Sequence, residues 1–144
     1  SREYFDEMFR ISKNQIIWGG NYFVKYFDEG HKGWIVWDKG QHGLTMSDCE
    51  LAYTSFDCAT RVCVVNRAEI NSDGAIHPTH KPLKLLKWVV DNYSEPGQLI
   101  LDPFSGSGST LVAAYQLGRD YIGIDAEQEY VDTANERLRQ QVLF

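Results

Sequence analysis

Hydrophobic residues recur at helical spacing at the start of the chain and in short runs after it. Phe5, Met8 and Phe9 recur between charged residues, so residues 3–13 are predicted to form an amphipathic helix. Four apolar, β-branched or aromatic runs bounded by glycine and polar residues predict strands, at 15–18, 33–40, 49–56 and 61–65. Gly19, Gly20 and Asn21 then turn the first of these strands into a short helix at 22–27.

The placement of the later strands follows from their neighbours along the chain. Large apolar residues on both faces of the run at 33–40 favour a central position in a sheet. The connection at 57–60 is short enough for a hairpin, so the strands at 49–56 and 61–65 are predicted to pair with each other. The polar, glycine-containing stretch between residues 41 and 48 is predicted to be a flexible loop.

Strand and helix patterns alternate in the second half, as is typical of α/β folds. A proline-started helix with apolar residues at helical spacing follows Pro82. Leu99 to Leu101 predict a short buried parallel strand, and residues 119–125 predict a second strand. The helix between them is expected to be capped by Ser109 or Thr110. A last amphipathic helix ends the chain.

Composition narrows the class of protein. A chain of 144 residues with 43% hydrophobic residues predicts a single globular domain with a sizeable core. A net charge of −6 argues against a surface that binds polyanions throughout, so any DNA contact must come from a local patch or from sequence outside these 144 residues. The three cysteines form no CxxC pair and indicate reduced thiols of a cytoplasmic protein. No apolar run approaches the length of about 18 residues that a membrane span requires.

The glycine-rich stretch after Leu101 is the first candidate site. An acid, Asp102, ends the apolar strand, and Gly106 and Gly108 allow a tight turn that opens a helix and leaves room for a ligand. Taken alone, this stretch is equally typical of a plain structural turn. Asp125 ends the next strand about 20 residues later, where doubly wound folds place the acid that binds ribose hydroxyls. The pair therefore predicts a ribose-containing ligand.

Three segments together resemble one family. They are the stretch from Asp102 to Thr110, the strand end Gly123-Ile124-Asp125 with Tyr130 after it, and the stretch from His77 to Pro82. They are similar, in order and separation, to motifs of the S-adenosylmethionine-dependent DNA amino-methyltransferases of the beta group. The resemblance implies a Rossmann-like methyltransferase fold with a largely parallel central sheet.

The resemblance also implies roles for individual residues. Asp102 would accept a hydrogen bond from the ammonium group of the cofactor, and Asp125 would accept the ribose hydroxyls. Ile124 and Ala126 would flank the adenine, and Thr79 and Lys81 would meet the methionine carboxylate. The expected cofactor-binding residues are Thr79, Lys81, Asp102, Phe104, Ser105, Gly106, Gly108, Ser109, Thr110, Asp125 and Ala126.

In this reading the chain is one partial methyltransferase domain with three parts. Residues 1–38 form the target-base side, with Asn21 and Tyr22 as candidate pocket wall, although a tight strand-to-helix turn explains them equally well. Residues 39–75 form the recognition region. Its basic residues are either phosphate contacts or ordinary solvated surface: Lys39, His42, Arg61 and Arg67. Residues 76–144 form the cofactor-binding half.

One motif of the family is missing from the sequence. No Asp, Asn or Ser followed by Pro-Pro and an aromatic residue occurs, and that tetrapeptide normally holds the target amino group. The fold is therefore expected to be incomplete at its amino terminus, and the chain alone is expected to bind cofactor without methylating DNA. The full enzyme is expected to be a site-specific DNA methyltransferase, and adenine N6 is favoured over cytosine N4 as its target.

Two other functional classes stay open. A nicotinamide-dinucleotide oxidoreductase fragment could share the glycines and the acid, but Leu111 stands where G-x-G-x-x-G has its third glycine. A non-catalytic nucleotide-binding or assembly module could form a homo-oligomer through an exposed sheet edge. The pair His77 and His80 has no acidic or cysteine partner nearby in the sequence, so no metal site is expected.

Overall fold

The computed structural model describes residues 1–28, 30–66 and 81–143, and the chain divides into two compact units, Ser1–Asn66 and Arg67–Phe144. The first unit holds α1 (Arg2–Ile11), β1 (Ile16–Trp18), two 3-10 turns (Gly20–Tyr22 and Val24–Tyr26), β2 (Ile35–Asp38), β3 (Cys49–Thr54) and β4 (Arg61–Val64). The second holds α2 (Leu83–Tyr93), β5 (Leu99–Asp102), α3 (Ser109–Gln116), β6 (Asp120–Gly123) and α4 (Gln128–Val142). No helix within the described ranges is long and apolar enough to cross a membrane.

An aromatic core forms the centre of the first unit. The amphipathic helix predicted near the amino terminus is confirmed as α1, and its Phe5 is buried against Ile17 and Tyr53. The Phe5 ring stacks on Tyr26 with centroids 4.7 Å apart, and the Phe27 ring stacks on Tyr53 at 4.1 Å. These contacts explain why the segment after β1 coils into 3-10 turns, since the turns return its aromatic rings to the helix.

The four strands of this unit lie in the order β1-β3-β2-β4, with β3 antiparallel to both of its neighbours and β2 parallel to β4. The central position predicted for β2 is confirmed, because Ile35 pairs with Ala52 of β3 and with Arg61 of β4. The predicted hairpin between β3 and β4 is wrong, since β2 lies between them.

The reason for this order is visible at the start of β2. The chain leaving β3 crosses over residues 32–34, where the Thr54 hydroxyl donates to the Gly33 carbonyl and the Arg61 N–H donates to the Trp34 carbonyl at 3.0 Å. A Cβ on Gly33 would lie 2.5 Å from the Phe56 carbonyl oxygen. Gly33 therefore leaves the space through which the chain passes from one side of β2 to the other.

The second unit packs α2 and α3 on a two-stranded parallel sheet. Leu86 and Val90 of α2 are buried with Ala113 of α3, and Ile100 of β5 packs against this cluster. Arg119 joins the ends of both helices, because its buried guanidinium donates to the Ser94 carbonyl at 2.7 Å and to the Leu117 carbonyl at 2.6 Å.

The strands β5 and β6 run parallel as predicted, with Leu99 opposite Asp120 and Asp102 opposite Gly123. The prediction that β5 is buried is wrong, since Leu99 is 61% exposed. Ile122 of β6 is also exposed. Among the described residues, each of these two strands has one hydrogen-bonded neighbour, and α2 and α3 cover one face of the sheet. Apolar side chains that face away from these helices therefore meet solvent.

Within the described residues, the cysteines and histidines form neither disulfide bonds nor a metal-binding cluster. Cys49, Cys58 and Cys63 form no disulfide bond. Across the same residues, no cluster of three or more His, Cys, Asp or Glu side chains could hold a metal ion. The pair His77 and His80 lies outside the described residues.

Candidate cofactor-binding site

The carboxyl ends of β5 and β6 lie side by side and form the frame of the site. The Ile124 N–H donates to the Asp102 carbonyl at 2.9 Å, which extends the strand pairing beyond Gly123. The Ser105 N–H then donates to the Ile124 carbonyl at 2.9 Å. The loop that follows β5 therefore turns back over the end of β6, where ligands bind in folds with parallel strands.

Asp102 begins this loop with a local turn. Its carboxylate Oδ1 accepts the Phe104 N–H at 3.0 Å, the hydrogen bond of an Asx turn. Phe104, at the tip of the turn, is 70% exposed. An ionised carboxylate has about four acceptor positions, so this bond leaves Asp102 able to accept from a ligand as well.

Asp125 connects the end of β6 to the glycine-rich loop. One carboxylate oxygen accepts the Gly106 N–H at 2.9 Å and the other accepts the Glu127 N–H at 2.9 Å. Each oxygen keeps a second lone pair, so two hydroxyl donors could bind without displacing these amides. The two acids singled out in the sequence thus belong to one hydrogen-bonded assembly.

The two loop glycines differ in what they require. Gly106 has φ +50° and an added Cβ would meet open space, so it leaves room above the loop. Gly108 has φ +88°, and an added Cβ would lie 2.7 Å from the Ala134 Cβ. Gly108 is therefore needed for packing against α4 as well as for its backbone conformation.

The expected side-chain cap of α3 is wrong. Gly108 is the N-cap residue and makes no side-chain cap bond, and the helix begins at Ser109. The Ser109 hydroxyl instead accepts a hydrogen bond from Arg137 of α4 at 2.9 Å. Ser109 is buried and Thr110, the second helical residue, is half-buried.

Gly123 also belongs to this frame, although its sequence position predicted no separate role for it. A Cβ at this position would collide with the Leu111 Cδ1 atom and approach the Ser105 Cβ to 3.0 Å. The close approach of loop, helix and strand thus depends on a residue without a side chain. A glycine inside a strand pattern is the signal that could have indicated it.

The remaining predicted residues lie in several places. Ala126 and Ile124 are exposed beside Asp125, and half-buried Lys81 lies just before Pro82 and α2. Thr79 lies outside the described residues. Asn21 and Tyr22 belong to the first unit, in the 3-10 turn after β1, and Tyr22 is 77% exposed.

Two of the four candidate phosphate contacts, Lys39 and His42, follow the carboxyl end of β2. Lys39 cannot serve as one in this conformation, because its buried ammonium pairs with the Glu50 carboxylate at 3.1 Å. His42 lies on the surface, and its Nε2 hydrogen-bonds the Asp38 carboxylate at 2.8 Å. Arg61 is exposed, and Arg67 lies outside the described residues.

Hydrogen bonds at this strand end displace two pKa values. The Gly40 N–H, and after it His42, lower the pKa of Asp38 below its usual 3.8. The Asp38 carboxylate raises the pKa of His42 above its usual 6.5. Both groups are at the surface.

The sequence matches a family profile and two type II methyltransferases. A family profile described as "DNA methylase" matches residues 17–136. The type II methyltransferase M.HinfI of Haemophilus influenzae is 50% identical over 64 residues, which are 44% of this chain and 18% of that protein. The type II methyltransferase M2.DpnII of Streptococcus pneumoniae is 51% identical over 65 residues, 45% of this chain and 24% of that protein. The chain thus matches about a quarter or less of the length of these relatives.

Solved structures share the fold. The crystal structure of the M1.HpyAVI-SAM complex superposes with a TM-score of 0.68 and 26% identity, covering 86% of this chain and 74% of that one. The PvuII DNA methyltransferase (cytosine-N4-specific) superposes with a TM-score of 0.61 at 17% identity, covering 82% of this chain and 55% of that one. The predicted Rossmann-like methyltransferase fold is confirmed, and the predicted cofactor, S-adenosylmethionine, is present in the M1.HpyAVI complex that shares it.

Proposed function

Because the chain belongs to the DNA methylase family, we propose that it forms the cofactor-binding part of an enzyme that methylates DNA. In this proposal the sulfonium methyl group of S-adenosylmethionine passes to an exocyclic amino nitrogen of a base. The carbon–sulfur bond breaks as the carbon–nitrogen bond forms, S-adenosylhomocysteine leaves, and the amino nitrogen loses a proton. The substrate would be DNA, and the enzyme would act in the cytoplasm.

The observation that carries this proposal is the bond between Asp125 and the Gly106 N–H. It holds the acid at the end of β6 against the loop that leaves β5, so a nucleoside could contact both at once. Asp125 would accept the ribose hydroxyls and Asp102 the cofactor's ammonium group. Phe104, Ser105, Gly106 and Gly108 would supply the backbone along the cofactor.

Adenine N6 is the proposed acceptor, because it is the more frequent target in the enzymes that this chain resembles. The amino group must leave the duplex to reach the methyl carbon, so the complete enzyme would extrude the base. The protein's contribution is then mainly to align nitrogen, carbon and sulfur. Tritium from labelled cofactor should appear in N6-methyladenine when the full-length enzyme acts on DNA, and N4-methylcytosine would contradict this choice.

Titration calorimetry tests the cofactor proposal. We expect S-adenosylhomocysteine to bind the 144-residue chain saturably and NAD⁺ not to bind. Asp125→Asn should weaken binding by about tenfold, since the amide offers the ribose one acceptor oxygen instead of two charged ones. Asp120→Asn, at the opposite end of β6, is the matched control and should bind like the parent protein.

The proposal fails if S-adenosylhomocysteine gives no saturable heat, or if NAD⁺ binds equally well. It also fails in its assignment of Asp125 if the two variants cannot be distinguished.

A further inference from the structure

The last helix of the chain contacts the glycine-rich loop through an arginine. Arg137 of α4 donates from one guanidinium nitrogen to the Ser107 carbonyl at 2.9 Å, to the Ser107 hydroxyl at 3.3 Å and to the Ser109 hydroxyl at 2.9 Å. Ser107 and Ser109 are both buried. The arginine therefore fixes the residues on either side of Gly108.

A second contact from the same helix meets Gly108 itself. The position of Ala134 leaves no space for a Cβ on Gly108. Ala134 and Arg137 are three residues apart and so lie on one face of α4. That face touches three consecutive loop residues, Ser107 to Ser109.

We propose that Arg137 is a positioning residue for the cofactor, which acts by holding the glycine-rich loop in its binding conformation from the α4 side. Asp125 holds the same loop at Gly106 from the β6 side. The two attachments order the loop before the ligand arrives, so binding does not have to supply that ordering. This inference rests on the proposed cofactor site and adds the element that keeps it in shape.

The test compares Arg137→Met with Arg139→Met, the matched control. Arg139 is an exposed residue two positions along the same helix, and its guanidinium pairs with Glu136 on the helix surface. S-adenosylhomocysteine should bind Arg137→Met about tenfold more weakly than the parent chain, and Arg139→Met without change. Arg137→Lys should lie between, because its ammonium has three donors but ends a shorter side chain than the guanidinium nitrogen that makes these bonds.

Amide hydrogen exchange gives a readout that does not depend on ligand affinity. In free Arg137→Met the amides of residues 106–110 should exchange at least several-fold faster, whereas those of α2 should not change. Saturating S-adenosylhomocysteine should restore the protection if the variant still binds it. Faster exchange throughout the second unit would indicate a merely structural arginine and would overturn the proposal.

Two further outcomes are decisive. If Arg137→Met does not fold, Ser109→Ala removes one of the same bonds and should weaken binding in the same direction. If the parent chain fails to bind S-adenosylhomocysteine, the proposed function falls, and loop exchange alone decides whether Arg137 orders the loop. Unchanged loop exchange and binding within twofold of the parent would refute the role of Arg137.

Discussion

Gly108 shows how much of this site depends on single residues. Its place in the glycine-rich stretch predicted a role in ligand approach, yet Gly108 has a positive φ of +88° and a neighbour, Ala134, that excludes any side chain. Gly106 has a positive φ and open space around it. Two glycines two positions apart in one loop thus serve different purposes, one in packing and one in leaving room above the loop.

Gly108→Ala should therefore destabilise the protein more than Gly106→Ala. Both variants force an alanine into a left-handed conformation, at a cost of about 1–2 kcal/mol. Only the first also drives a Cβ into Ala134, which should add about 1–3 kcal/mol of overpacking strain. Thermal unfolding monitored by circular dichroism measures the difference. Gly30→Ala, where φ is not positive and no atom lies within 4 Å, should leave the melting temperature nearly unchanged.

A melting temperature for Gly108→Ala equal to that of Gly106→Ala would contradict this account. It would mean that α4 shifts away from the loop at little cost.

Elements in this protein are joined by contacts that their own sequences do not reveal. The strands β3 and β4 both pair with β2, and the passage between them depends on Gly33. The loop after β2 is likewise held by its neighbours, because Asp38 accepts from Gly40 and His42 while Asp48 accepts the Gly43 N–H at 3.0 Å. A stretch predicted to be flexible has defined internal bonds.

This loop should respond to pH. Because the pKa of His42 is raised in the folded state, its bond to Asp38 stabilises the loop fully below the unfolded value of 6.5 and is lost as the pH rises through the folded pKa. Because the pKa of Asp38 is lowered in the folded state, its ionised carboxylate stabilises the loop fully above the unfolded value of 3.8. This stabilisation is lost as the pH falls through the folded pKa of Asp38. The stabilisation of the loop by these hydrogen bonds should therefore be largest between pH 3.8 and pH 6.5.

Proton NMR titration of the His42 ring checks the prediction. The His42 pKa should exceed 6.5 in the parent protein and fall toward 6.5 in Asp38→Asn. Asp57→Asn is the control, since that carboxylate pairs with Lys32 at 2.8 Å and should leave the His42 titration unchanged. An identical His42 pKa in the parent and in Asp38→Asn would refute the pairing in solution.

At the scale of the whole molecule, we expect cofactor binding and methyl transfer to be separable. The sequence contains the glycine-rich loop and both acids but no Pro-Pro-aromatic tetrapeptide to hold a target amino group. We therefore expect the 144-residue chain to bind S-adenosylhomocysteine and yet to transfer no tritiated methyl group to DNA above background. A complete relative of the family, assayed in parallel, controls for the substrate. Transfer by the chain alone would show that other residues perform the task of the tetrapeptide.

Much of this architecture was predictable because its signals are local. The helical periodicity around Phe5, the alternation of strands and helices after Pro82, and the separation of the glycines from Asp125 all lie within short windows of sequence. Strand order was less accessible. The hairpin between β3 and β4 was predicted from a short connection, and only the pairing of both strands with β2 revealed the crossover.

The sequence by itself determined the kinds of element, their order along the chain and the family to which they belong, since backbone propensity, glycine positions and motif spacing are written in neighbouring residues. The tertiary structure alone decided which strand lies next to which, that Leu99 of β5 is exposed, and that Ala134 and Arg137 reach back to Ser107, Gly108 and Ser109. Contacts between residues some 26 to 30 positions apart depend on how helices and strands pack, and packing is a property of the folded chain as a whole.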